Sequence, residues 1–176
     1  MNRIESLLAT VLASCAIPVI AACAGTPGAP TPAVAVELAP TDALRVAVFT
    51  GNPVIGTKDK ATGEVKGTTV TLGRALAARA GVPATIIEYT SVAKIVEDAK
   101  TGTWDIAVVA FDPARRGVLN FATEMCIVLP KGRPAALEYV GAFVSEARKS
   151  GLIARVIEGA GLRGAAVAQG VPAVAL

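Results

Sequence analysis

The spacing of apolar residues switches between two periods along the chain and marks out a series of short elements. "ALRVAVF" (43–49) is a nearly continuous apolar run of strand length, suited to a strand covered on both faces in the middle of a parallel sheet. Beyond it, "TGNPVIGTKDKATGEVKG" (50–67) reads as a loop with hairpin-like punctuation around "KATGEV". From Thr69 the period lengthens: Val70, Leu72, Leu76 and Ala80 follow helical spacing, and Gly81 supplies a stop. "PATIIEY" (83–89) predicts a second strand. Ser91 then stands as a cap before "VAKIVEDAKTG" (92–102), which puts Val92, Ile95, Val96 and Ala99 on one helical face and ends at Gly102. "DIAVVAF" (105–111) predicts a third strand. Strand, helix, strand, helix, strand in that order calls for right-handed crossovers and a parallel sheet.

Further along, "IVLP" (127–130) can form one more short strand. "RPAALEYVGAFVSEARKSG" (133–151) predicts a strong helix, with Pro134 near its first position and Leu137, Val140, Phe143, Val144 and Ala147 on the apolar side. "LIARVIEGAGLRG" (152–164) predicts a shorter helix, and "AAVAQGVPAVAL" (165–176) a frayed or strand-like tail. The fold class is therefore α/β, with a three-layer arrangement around a parallel sheet.

Composition sharpens this picture. The chain is 53% hydrophobic but only 4% aromatic, which favours α/β packing of small residues over an aromatic-rich β-sandwich. The net charge is +3, and the cations are scattered without interleaved aromatics, so no nucleic-acid footprint is expected. There is no histidine, which excludes histidine-based triads and histidine-ligated metals. No pair of carboxylates marks a shared cleft, and "TGNPVIG" lacks the spacing of a nucleotide-binding glycine loop. No catalytic residue, metal or cofactor is expected; Glu88, at a strand end, is the one acid worth testing.

The N-terminus is distinct. "MNRIESLLATVLASCAIPVIAAC" has Arg3 in a short leading segment and an apolar run from Leu7 to Ala22, broken by Pro18. This predicts an export signal over 1–22 rather than a permanent span. "IAAC" (20–23) resembles a bacterial lipoprotein box, so Cys23 is the predicted site of lipidation. Plain signal cleavage, leaving a free soluble protein, is the alternative. Residues 23–41, rich in Pro and Ala with little charge, read as an extended linker, with the folded part spanning 42–169 and a tail at 170–176. Of the three cysteines, Cys15 leaves with the signal and Cys126 stands alone as a small hydrophobe, so no disulfide framework is expected.

One junction is anomalous. In "NFATEMCIVLP" (120–130) the end of one segment meets the middle of another without a comfortable turn between Thr123 and Cys126. Together with that junction, "LRVAVFTGNPVIG", "GEVKGTTVTLGRALAARAGVP", "VAKIVEDAKTGTWDIAVVAFDPARRGVLNFA" and "LPKGRPAALEYVGAFVSEARKSGLIARVIEGAGLRGAAVA" resemble the family 3 solute-binding proteins of bacterial ABC importers, the polar-amino-acid type. The resemblance runs over about residues 42–168, as judged from the extent of these segments. It implies a single lobe of the periplasmic-binding-protein type, with the second lobe missing near 123–126. It also implies that a sheet edge and apolar surface otherwise covered by the hinge are exposed, inviting dimerisation or aggregation.

What the resemblance implies for function follows from the crevice that such lobes form at the carboxyl ends of their strands. Arg115, in "DPARR", matches the arginine that grips a ligand carboxylate with a two-pronged guanidinium contact; Arg116 is read as solvated. Asp112 stands beside it, either meeting an ammonium group or capping the turn. Asn52 offers hydrogen bonds where relatives place an aromatic ring. Ser91 can reach ligand but is read first as a cap; Thr68 and Thr69 are read as caps, and Trp104 as core. The implied partners are a small amino acid or carboxylate, an ABC-transporter permease and, through Cys23, the membrane, with the protein in the periplasm. A non-binding remnant or scaffold of the same fold and a dehydratase-like enzyme are the competing readings.

Overall fold

The computed structural model describes residues 28–109, 119–121, 127–161 and 167, with Leu119–Phe121 as backbone only. The first element among the described residues is a helix, α1 (Pro32–Leu38), where an extended linker was expected. The prolines explain the difference. Pro32 occupies the first turn, where its missing N–H costs nothing, and the Thr31 hydroxyl accepts a hydrogen bond from Val34 N at 3.3 Å. Val34 and Leu38, one helical turn apart, are buried. The Glu37 carboxylate accepts from Ala136 N at 2.9 Å, and the Tyr139 hydroxyl donates to Gly28 O at 2.6 Å. The ordered body thus begins before Asp42.

Strand β1 (Leu44–Phe49) lies within the sheet, parallel to β4 (Ala84–Tyr89) on one side and β5 (Ile106–Val108) on the other. Between β1 and β4 come a short hairpin, β2 (Thr57–Lys58) with β3 (Val65–Lys66), and helix α2 (Thr68–Ala80); α3 (Val92–Asp98) joins β4 to β5. These elements match the strand–helix pattern read from apolar spacing.

The second half of the sheet is not parallel. Strands β6 (Leu119–Phe121) and β7 (Ile127–Pro130) complete the order β4-β1-β5-β7-β6, with β7 antiparallel to both β5 and β6. A parallel neighbour needs a crossover of a dozen residues or so, and residues 122–126 are all that separate β6 from β7. The junction at Thr123–Cys126 therefore falls between two directly paired strands. Helix α4 (Pro134–Lys149) and α5 (Leu152–Gly159) close the chain's described part.

Alternation along β1 divides the core in two. Leu44, Val46 and Val48 face α1, α2, α4 and α5, together with Leu72, Leu76, Val140 and Phe143. Ala47 and the partly buried Phe49 face α3, together with Ile95 and Trp104. Trp104 is fully buried and donates from Nε1 to Ile95 O at 2.9 Å, as its reading as core requires. The Tyr89 hydroxyl donates to Asp98 Oδ2 at 3.0 Å and fastens α3 to β4. Burial, aided by that bond, pushes the Tyr89 phenol up from 10.0 to about 12. The fold holds the neutral phenol, so the stability linked to it is complete below pH 10 and is lost as pH rises toward 12. Tyr89→Phe is expected to flatten the alkaline decline in urea midpoints across that window; an unchanged decline would assign it to other groups.

Candidate functional site

The parallel strands β1, β4 and β5 run toward one end, and Asn52 and Ser91 follow β1 and β4 there. Parallel α/β sheets place ligands there because the strand ends leave backbone groups and loop side chains facing a shared crevice. Thr50, the first residue past β1, donates its N–H to Tyr89 O at 2.9 Å and so extends the β1–β4 pairing to the rim. Its hydroxyl lies 3.3 Å from both Glu88 Oε1 and Tyr89 O.

Asn52 is partly committed to its own loop. Its side-chain oxygen accepts from Val54 N at 3.0 Å, and its backbone oxygen accepts from Ile55 N at 3.0 Å and Gly56 N at 2.8 Å. That geometry leaves the amide NH₂ as the group Asn52 can offer to a ligand. The loop is in turn tied to α2: Val54 O accepts from the Thr68 hydroxyl at 2.9 Å, and Ile55 O accepts from Thr69 N at 3.2 Å. Thr68 and Thr69 are thus not caps. Gly67 holds the N-cap position at φ 138, where a side chain would drive into Ile55 O, and Thr69 is buried inside the first turn.

Ser91 occupies the N-cap position of α3, with φ −142 and ψ 131, but its side chain makes no capping hydrogen bond. Ser91 is thus the cap by position, its carbonyl accepting from Ile95 N at 3.3 Å, while its hydroxyl takes no part in the capping. The exposed hydroxyl is left for other use. Asn52 and Ser91 follow neighbouring strands whose ends are in register at Phe49 and Tyr89, so the structure brings both to one rim. Arg115, Asp112 and Arg116, which follow β5 in the sequence, lie outside the described residues, as do Cys23 and Cys126.

An aromatic ring was missed in the sequence. Phe49 ends β1 half-buried, and its ring covers Gly51 so closely that any Cβ there would collide with it. The signal was present in the alternation of β1, which assigns Ala47 and Phe49 to the α3 side. Glu88, by contrast, is held by Lys58, whose Nζ lies 2.7 Å from Oε2. That hydrogen bond, with a lesser one from Thr50, keeps the carboxyl below its ordinary value, the wrong direction for a general acid at neutral pH.

Among the described residues the strongest ionic cluster sits at the opposite end of the sheet. Asp105, fully buried just before β5, accepts from Arg45 N and Nε at 2.9 Å each through Oδ2. Its Oδ1 accepts from Arg45 Nη2 and Arg133 Nη1 at 2.8 Å each. The carboxylate bond is the main reason the Arg45 guanidinium is held above its ordinary pKa. Arg45 is the second residue of β1 and Arg133 follows β7, so one carboxylate staples the start of one strand to the exit of another. This cluster is structural, remote from the crevice. A cleft of about 310 Å³ also opens between the start of α2 and α5, beside Thr68, Thr71 and Arg155. Arg155 there already donates to Ser150 O at 3.0 Å. Among the described residues no three His, Cys, Asp or Glu side chains converge as metal ligands, and no helix is long and apolar enough to cross a membrane.

Known proteins fit this architecture. The family model for bacterial extracellular solute-binding proteins, family 3, matches residues 44–159, from the start of β1 to the end of α5. The arginine-bound form of domain 1 from TmArgBP superposes with a TM-score of 0.56 at 20% identity, covering 62% of this chain and 97% of that one. A mutant of ArgBP from T. maritima gives 0.62 at 13% identity, covering 72% and 98%. The ancestral amino acid-binding protein AncCDT-1, described as a precursor of cyclohexadienyl dehydratase, gives 0.61 at 16% identity, covering 70% and 96%. At these identities the likeness speaks to fold, and the fold is that of an isolated lobe. No curated protein sequence matches the chain.

Proposed function

The chain belongs to the bacterial extracellular solute-binding proteins, family 3, and on that premise we propose that its lobe recognises an amino acid or similar small carboxylate for uptake. One observation supports the reading: β1 and β4 end in register at Phe49 and Tyr89, so Asn52 and Ser91 follow strands that leave the sheet at the same end as β5, which Arg115 follows in the sequence. In this reading the Arg115 guanidinium takes the carboxylate in a bidentate contact. The uncommitted Ser91 hydroxyl and the Asn52 NH₂ supply further hydrogen bonds, and Asp112 meets the ligand ammonium. Phe49 gives the rim an apolar wall.

Binding is weak in this proposal. If a two-lobe receptor holds its ligand near micromolar, about −8 kcal/mol, half the contacts leave roughly −4 kcal/mol, or millimolar affinity. Support for retained binding comes from the TmArgBP relative, whose domain 1 is described as arginine-bound. The protein acts outside the cytoplasm, anchored through an acylated Cys23 in the periplasm, and serves an ABC-transporter permease. We read it as a binding protein and not an enzyme; the lowered pKa of Glu88 speaks only against that group as a general acid.

A thermal-shift series against the common amino acids at high millimolar concentration tests the proposal. Ligand at ten times its dissociation constant adds about 1.4 kcal/mol, which should raise the melting temperature by about 5 °C. A flat response to every amino acid and small carboxylate would favour a remnant or scaffold.

A further inference from the structure

We infer that α1 is a membrane-contacting clasp: its outer face rests on the bilayer surface and holds the crevice end of the lobe away from it. The inference rests on the proposed acylation of Cys23, and on what the docking of α1 does to the length of the tether. Gly28 is fixed to the body by the Tyr139 hydroxyl, and the Arg79 guanidinium lies beside it. The Tyr139 hydroxyl oxygen also lies 3.1 Å from Arg79 O, at the C-terminal turn of α2. That turn leads directly into the start of β4, so Gly28 is held at the end of the sheet opposite the ligand rim.

From Cys23 to Gly28 the chain reaches at most about 18 Å, taking 3.6 Å for each residue step. A lobe of this size is about 35 Å across. The tether is therefore too short to let the body turn over and press its crevice end on the membrane while α1 stays docked. An undocked segment running to Asp42 would reach about 68 Å and impose no such restriction.

The surface nearest the anchor has the composition that a bilayer interface accepts. On α1, Pro32, Ala33, Ala35 and Val36 are exposed and uncharged. Val36, at 70% exposure, is the large hydrophobic residue that stands out among the described ones. The only charge on the helix, Glu37, is turned inward to the first-turn N–H of Ala136. Such a face binds lipid weakly by itself, but a covalent anchor nearby makes the contact intramolecular and so effective. Delivery of ligand to a permease in the same membrane would then require α1 to let go.

The test uses the full chain, purified from membranes in its lipidated form and placed in phosphatidylethanolamine–phosphatidylglycerol vesicles. In a Cys126→Ser background, one fluorophore is attached at Val36→Cys and, in a second protein, at Ala61→Cys on the crevice-end hairpin. Quenchers carried on lipid headgroups are expected to quench the first probe about threefold more than the second, and aqueous iodide the reverse. Equal quenching at both positions overturns the inference. Shielding of the first probe that persists in detergent together with a dimer mass also overturns it, in favour of a second copy covering α1. Mass spectrometry of the N-terminal peptide is read in parallel. An unmodified Cys23 refutes the anchor and this inference together, whereas an acylated Cys23 with equal quenching refutes the clasp alone.

Discussion

Replacing Asp105 with alanine is expected to lower the unfolding free energy of the lobe by about 3–5 kcal/mol, because removing one partner of a buried ion pair strands the other in a poor solvent. Here two cations are stranded. Arg45 and Arg133, with side chains 20% and 15% exposed, both point at a carboxylate that is fully buried. The Arg45 backbone N–H loses its acceptor as well. Asp105→Asn keeps the shape and one acceptor oxygen, so its loss should be smaller. The exposed Lys58–Glu88 pair provides the contrast: Lys58→Ala should leave the urea midpoint almost unmoved, since solvent screens that contact. A midpoint for Asp105→Ala equal to that of the unmodified chain would show that Asp105 does not hold the strands together.

The second large effect is expected at Arg115. Arg115→Ala should abolish measurable binding of any amino acid by the lobe. A charge-assisted hydrogen bond contributes roughly 1.5–3 kcal/mol, and the proposed contact has two prongs against a total of only about −4 kcal/mol. Arg115→Lys keeps the charge without the planar fork and should lose most of the affinity too. Isothermal titration at high protein concentration reads both. Undiminished binding in Arg115→Ala would place the carboxylate elsewhere on the rim.

Much of the lobe was legible because its periods are clean. The apolar run at Leu44–Phe49 and the helical spacing of Val70, Leu72, Leu76 and Ala80 each led to the element observed. Pro134 sits in the first turn of α4, as its fixed φ suggests. The misreadings share a cause: composition was read where position decides. Prolines around α1 suggested an extended chain, yet Pro32 lies where a helix tolerates it and Val34 and Leu38 carry the packing. Ser91 was the right residue type for a cap, but the helix begins without its hydroxyl. The mixed sheet depends on the short span between β6 and β7, which local periodicity does not report. The Asp105 staple joins residues far apart in sequence; only the "TWD" step before β5 hinted at it. At the rim, Asn52 and Ser91 follow strands that the spacing marked out, while the side that Phe49 shares with Ala47 was overlooked in a run that looked almost continuously apolar.

The central claim is that a half-crevice at the strands' carboxyl ends still binds a small carboxylate. An amide-resolved NMR titration of the lobe with single amino acids tests it most directly. The account predicts saturable shifts in fast exchange, with a dissociation constant on the order of millimolar, confined to the loop after Phe49, the start of α3 and the loop after β5. Shifts that gather around Arg45, Asp105 and Arg133, or none for any amino acid at saturating concentration, would contradict it.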